Sequence, residues 1–238
     1  MKRATLLFLL VICIYHAPAQ PSPQTDTSGT LVQQKDNIIT ASTILKIENI
    51  GININSDLPE LRPTISADGN ILFFICENHP GNTRYKEVRN SQDIWYSFRD
   101  SAGKWCEAMH MGYPLNTYFY NAVFWISPDN NRILIRNAYI DGDYVGNGIS
   151  MSRLQRNGSW GKPEMLRIKN YEKYDRGQQY GASMSHDGQT LLLYMGESNG
   201  SVNNDIFVCF LQKDGTWSEP KTLGKKINLA KHDELTPY

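Results

Sequence analysis

What the chain has little of narrows the field first. Helical periodicity is nearly absent. The stretch that comes nearest, Lys162 to Tyr174, is interrupted by Pro163, and its mixed pattern fits an outer strand and a loop better. Near the start, Ala4 to Tyr15 is apolar, but those twelve residues fall short of the ~20 that a bilayer-spanning helix needs. Neither charge sign is in excess, with 24 Lys and Arg against 24 Asp and Glu. Such a balance leaves no electrostatic footprint for nucleic acid or anionic lipid. Gly-x-Ser-x-Gly elbows and phosphate-cradling glycine loops are missing. His79, His110, His186 and His232 stand apart without metal-ligand spacing. No cofactor or metal is expected.

What is present is a sentence written three times. Pro63-Thr-Ile-Ser-Ala-Asp-Gly-Asn-Ile-Leu-Phe-Phe returns as Phe124-Trp-Ile-Ser-Pro-Asp-Asn-Asn-Arg-Ile-Leu-Ile and as Ala182-Ser-Met-Ser-His-Asp-Gly-Gln-Thr-Leu-Leu-Leu. The shared acids Asp68, Asp129 and Asp187 lie 61 and 58 residues apart. Each copy continues into a second apolar run, beginning at Asp93, Gly148 and Asp205, and then into a turn ending on Trp105, Trp160 and Trp217. A fixed period of this size marks a repeat architecture.

The unit reads as strand, Asp-Gly turn, strand, long variable loop, strand, Gly turn, strand. Asp-Gly and Asn-Gly supply the positive φ of tight turns, here at Gly69 and Gly188. The runs between are rich in Ile, Phe, Tyr, Val and Trp, which suit a pleated, half-buried surface. Ile71 to Cys76 is almost wholly apolar, as a strand covered on both faces should be. Four short antiparallel strands per unit describe a blade of a β-propeller, and the fold class is all-β. A single blade cannot bury both faces, so the units form one body and not three domains.

The ends frame this body. Lys2 and Arg3, the apolar stretch and Ala17-Pro-Ala19 predict a signal peptide over 1–19 with cleavage after Ala19 and export. A bulky Ile12 before Cys13 argues against lipidation. Cleavage leaves 22 basic and 24 acidic residues, a net charge of about −2, and an odd set of cysteines, Cys76, Cys106 and Cys209. At least one thiol is then free unless a second chain pairs with it. Residues 20–37 read as a polar, flexible linker. The propeller spans 38–238, with a partial blade over 38–57 and blades at about 58–116, 117–175 and 176–231. Gly51-Ile-Asn-Ile-Asn resembles Lys226-Ile-Asn-Leu-Ala, which predicts an outer strand for the partial blade. Pro59-Glu-Leu-Arg-Pro63 returns as Asp233-Glu-Leu-Thr-Pro237, 174 residues later, so 232–238 reads as the start of a further blade. Closed propellers have at least four. Either the two end pieces complete a fourth blade together, or missing blades come from a longer chain or a second chain, which is the reading we favour.

Ser66-Ala-Asp-Gly69, Ser127-Pro-Asp-Asn130 and Ser185-His-Asp-Gly188, each with its downstream apolar strands and tryptophan, resemble the TolB-type, WD-like propeller repeats of bacterial envelope proteins. The resemblance covers roughly residues 44–238 and implies an envelope-associated propeller in the periplasm or at the outer membrane. In that family such repeats often precede an OmpA-like peptidoglycan-binding domain, which is not part of these 238 residues.

The repeated residues invite a catalytic reading, and their register argues against it. An acid found once per blade performs a per-blade task, accepting backbone N–H groups in a turn. Ser185-His186-Asp187 holds the residue types of a hydrolase triad, but neighbours on one tight turn cannot nest the required hydrogen bonds. Asp141-Gly-Asp143 suggests a calcium loop, yet Ser152 stands where the bidentate Glu belongs. Recognition is expected from the long loops: 77–92 with Arg84, Tyr85 and Arg89, 138–147 with Tyr139 and Tyr144, and 196–204. The sequence thus predicts a non-catalytic interaction module with a protein or glycan partner. Alternatives are the gating propeller of a larger peptidase-like enzyme and a carbohydrate-active propeller.

Overall fold

The computed structural model describes residues 47–196, 198–229 and 232–237. The expected signal peptide, the linker and residues 38–46 of the partial blade lie outside them. The chain divides after Ile47, and the unit from Glu48 onward carries every strand of the described residues.

Three four-stranded antiparallel sheets follow one another along the chain. The first holds β1 (Glu60–Ile65), β2 (Ile71–Glu77), β3 (Gln92–Phe98) and β4 (Met109–His110). The second holds β5 (Val123–Ile126), β6 (Arg132–Ile140), β7 (Asp143–Arg153) and β8 (Glu164–Met165). The third holds β9 (Tyr180–Met184), β10 (Thr190–Met195), β11 (Asp205–Phe210) and β12 (Lys221–Thr222). Each sheet pairs its strands in sequence order, the meander of a propeller blade. The long inter-strand loop of the second repeat is the one departure within a blade. There β6 and β7 continue as one hairpin, closed at Asp141 (φ 53°) and Gly142 (φ 87°). Two successive positive φ values make a tight turn compatible with strand twist, so the supposed calcium loop is a hairpin tip.

Apolar faces meet between blades. Phe73, Ile94, Leu115, Val123, Ile133, Ile135 and Tyr139 form the core between the first and second. Phe124, Leu134, Ile149, Tyr180, Leu191, Leu193, Phe207 and Trp217 form that between the second and third. Pieces flank the blades at both ends. Residues 48–59 form no strand, and in place of the expected outer strand Gly51 to Asn55 makes a turn against the first blade, where Ile54 packs with Leu72, Phe74 and Trp105. At the other end Glu234 donates its N–H to the Asn204 carbonyl.

The three tryptophans do one job. Trp105, Trp160 and Trp217 each bridge back to the end of their own blade's third strand, at Arg99, Leu154 and Leu211.

Candidate functional site

The repeated acids are occupied within their own turns. Ser66 and Ser185 donate hydroxyl protons to Asp68 and Asp187 at 2.5 and 2.6 Å, and Ser127 does the same to Asp129. Each acid also accepts the N–H two residues on, from Asn70, Asn131 and Gln189. Each serine oxygen accepts a further N–H, from Ile71, Arg132 and Thr190, at 2.9 Å. The serine hydroxyl and the backbone N–H hold all three carboxyls below their usual range. Gly69, Asn130 and Gly188 come next in the chain, with φ of 72°, 58° and 70°.

The loop residues fare differently. Arg84 pairs with Glu87 and lies over the Phe119 ring, 5.6 Å from its centroid. Tyr85 and Arg89 are exposed. Tyr139 requires a correction. It is fully buried in the first inter-blade core, because β6 extends through it, and it is unavailable as a recognition residue. Tyr144 stacks on Tyr118 with ring centroids 3.7 Å apart.

In the first blade the buried Asp93 accepts from Thr83 N–H at 2.6 Å and Asn121 Nδ2 at 2.9 Å, with His110 Nε2 at 2.7 Å. Burial alone would raise its pKa, but the bonds from His110 and Thr83 outweigh it and hold the carboxyl down. The cluster ties the 77–92 loop and the passage into the second blade to β3, which is a structural task.

The described residues converge differently where the inner strands β1, β5 and β9 begin. A cavity of about 460 Å³ opens there between Leu61, Arg62, Gln92, Arg136, Tyr180 and Thr236. Two backbone irregularities aim arginines into it. Arg62 has φ 51° and sits in a register shift between Leu61 and Thr64. A bulge re-aims a side chain, and left-handed backbone at a non-glycine residue persists only where its surroundings enforce it. Thr236, at the same position of the second opening motif, has φ 46°. Arg136 precedes Asn137 (φ 79°) at a second register shift, in β6.

Both guanidiniums rest on aromatic faces. Arg62 lies 4.9 Å from the Phe124 centroid and 5.5 Å from that of Tyr194, whose hydroxyl it also contacts. Arg136 lies 4.4 Å from the Tyr180 centroid. Burial pushes the Tyr180 hydroxyl up to about 12, so it stays a donor, to Asn137 Oδ1 at 3.0 Å. Among the described residues neither arginine has a carboxylate within ion-pair distance. Two partly desolvated guanidiniums facing one cavity, neither in a close ion pair, suit a carboxylate, sulfate or phosphate group. The sequence signal for Arg62 was its place between the two prolines of a repeated motif. Arg136 gave none, because its exposure depends on a bulge.

No known family's sequence profile matches the chain, and no curated protein does. Among solved structures, the periplasmic gluconolactonase of Pseudomonas aeruginosa aligns at 14% identity and TM-score 0.37, over 63% of this chain and 38% of that one. Prolyl oligopeptidase B of Galerina marginata, bound to a 35mer substrate, aligns at 17% identity and TM-score 0.34, over 68% of this chain and 22% of that one. The chain thus spans well under half of either structure. The propeller assignment rests on the three sheets themselves.

Proposed function

We propose that the chain is an exported, non-catalytic propeller module of the bacterial cell envelope, of the TolB-like kind its repeats resemble. It binds a protein or glycan partner through an acidic group seated in the cavity where the inner strands begin. The observation that carries this reading is the pair Arg62 and Arg136, both facing that cavity and neither within ion-pair distance of a carboxylate among the described residues. The engagement of each repeated acid within its own turn supports the non-catalytic part of this reading.

Surface plasmon resonance on the purified protein tests it, with oligogalacturonate and a poly-glutamate peptide as acidic probes and their neutral analogues as controls. The expected result is saturable binding of an acidic probe, at least about tenfold weaker in Arg62→Ala and Arg136→Ala, since a desolvated arginine contact contributes ~1.5–3 kcal/mol. The probe is recovered chemically unchanged. Equal binding of neutral analogues, or cleavage of the probe, overturns the reading.

A further inference from the structure

A second cavity lies in the groove between the second and third blades, and its origin is visible by comparison with the other units. Three segments share the pattern Gly-x-x-aliphatic-Asn: Gly51 to Asn55, Gly112 to Asn116 and Gly224 to Asn228. In each the Asn N–H donates to the Gly carbonyl, at 2.9, 2.8 and 2.9 Å, and each glycine has positive φ. In the first blade Asn116 Oδ1 accepts the Ile94 N–H at 2.8 Å while its Nδ2 donates to the Ile94 carbonyl at 2.9 Å. Asn228 holds Ile206 of the third blade identically, at 2.9 Å both ways. Leu115, beside Asn116, is fully buried between the first and second blades. The segment is a plug that caps a third strand and fills the inter-blade groove.

The middle blade has no such plug. Its outgoing segment instead crosses to the third blade, where Trp217 donates to the Arg167 carbonyl and Lys169 donates to the Trp217 carbonyl. The next turn, Tyr171 to Asp175, has the same N–H to carbonyl bond at 3.1 Å, but Asp replaces Asn. Among the described residues no side chain holds Ile149, the counterpart of Ile94 and Ile206. The groove between the first and second blades, with its plug, keeps about 360 Å³ of open volume, against about 620 Å³ for this one. Its floor is Ile149, Leu166 and Ile168. The Tyr171 hydroxyl and the Asp175 carboxylate nearby are buried and act on one another.

We infer that this groove binds a peptide segment carrying an aliphatic residue followed by asparagine, which supplies in trans the plug the middle blade lacks. The aliphatic side chain fills the floor as Leu115 does, and the asparagine amide engages Ile149 as Asn116 engages Ile94. The rim carries Arg167 and Lys169 against Glu172, so charge complementarity favours a neutral or acidic segment over a basic one. The site is separate from the arginine-lined cavity and stands or falls independently of it.

The test uses the intact protein and the synthetic peptide Gly-Ile-Asn-Ile-Asn-Ser-Asp, the sequence at residues 51–57, followed by amide chemical shifts on isotopically labelled protein. Saturable shifts at Asn147 to Ile149 and Leu166 to Lys169 are expected. Replacing the peptide's second asparagine by alanine should weaken binding about tenfold, and replacing its second isoleucine by serine should do the same. No saturation at about 1 mM, equal binding of the alanine peptide, or shifts confined to other surfaces would overturn the proposal.

Discussion

The Arg136 guanidinium lies 4.4 Å above the ring of Tyr180, whose hydroxyl reaches back to Asn137, the residue next to Arg136 in sequence. A side chain of the third blade thus holds both residues of the β6 bulge, one by its ring and one by its hydroxyl. Tyr180→Phe keeps the ring and removes the hydroxyl, leaving Asn137 Oδ1 buried and unpaired. The expected loss is about 1–3 kcal/mol in urea unfolding. Arg136→Ala removes the cation–π contact and a charge that acts on Asp175 but strands no buried polar atom, and should cost less, about 0.5–2 kcal/mol. A Tyr180→Phe protein as stable as the parent would contradict this account of the bulge.

Asn116 is almost fully buried and makes two bonds to one residue of the neighbouring strand, Ile94. Asn116→Ala strands the Ile94 N–H in an apolar core and leaves the Ile94 carbonyl with only the Met111 N–H. We expect a loss of about 2–4 kcal/mol, combining a missing bond pair with unsatisfied backbone. Asn228 has the same bonds at a more exposed place, beside an Ile227 that is half exposed. Asn228→Ala should therefore cost visibly less. Chemical denaturation of the two variants side by side decides it.

The blades were legible because their signals are local. Asp-Gly turns, apolar runs and the recurring tryptophan need no tertiary information, and they placed all three sheets. The plug was half legible. Gly51-Ile-Asn-Ile-Asn and Lys226-Ile-Asn-Leu-Ala look alike as aligned strings, but the structural match pairs Gly51 with Gly224 and Asn55 with Asn228, two residues out of that register. The third copy, Gly112 to Asn116, escaped because its middle residues differ. Only the shared Gly and Asn carry the bond that defines the turn. Tyr139 misled for another reason. A long gap between strand patterns reads as a loop, whereas here the hairpin lengthens through it and turns one face of β6 into the core.

Cysteine chemistry offers an independent check on burial. Cys76, Cys106 and Cys209 are all free, with Cys76 and Cys209 buried and Cys106 partly exposed. Burial pushes the Cys76 thiol up to about 11 and that of Cys209 up to about 12, so neither is a thiolate at neutral pH. In native protein at pH 8, a disulfide reagent such as Ellman's should modify Cys106 first. The other two should react only on the timescale of unfolding. Rapid modification of Cys209 would mean that the core between the second and third blades opens far more readily than its packing implies.

Asp175 is a pH-sensitive element of the fold. Burial raises its pKa to about 6, against the opposing effects of the nearby Tyr171 hydroxyl, the Arg136 charge and Asn147. In the unfolded chain an aspartate titrates near 3.9. Because the folded value is the higher one, the folded state holds a proton that the unfolded state releases between about pH 4 and 6. Stability from this group is therefore complete below pH 4 and falls as pH rises through 6. The full difference is about 2–3 kcal/mol. Asp175→Asn has no proton to lose, so its stability relative to the parent should climb over the same interval and level off above pH 7. Urea midpoints measured from pH 4 to pH 8 on both proteins provide the comparison. Parallel curves would show that Asp175 is solvated in the folded state, and would remove the buried carboxyl from the groove beside the middle blade.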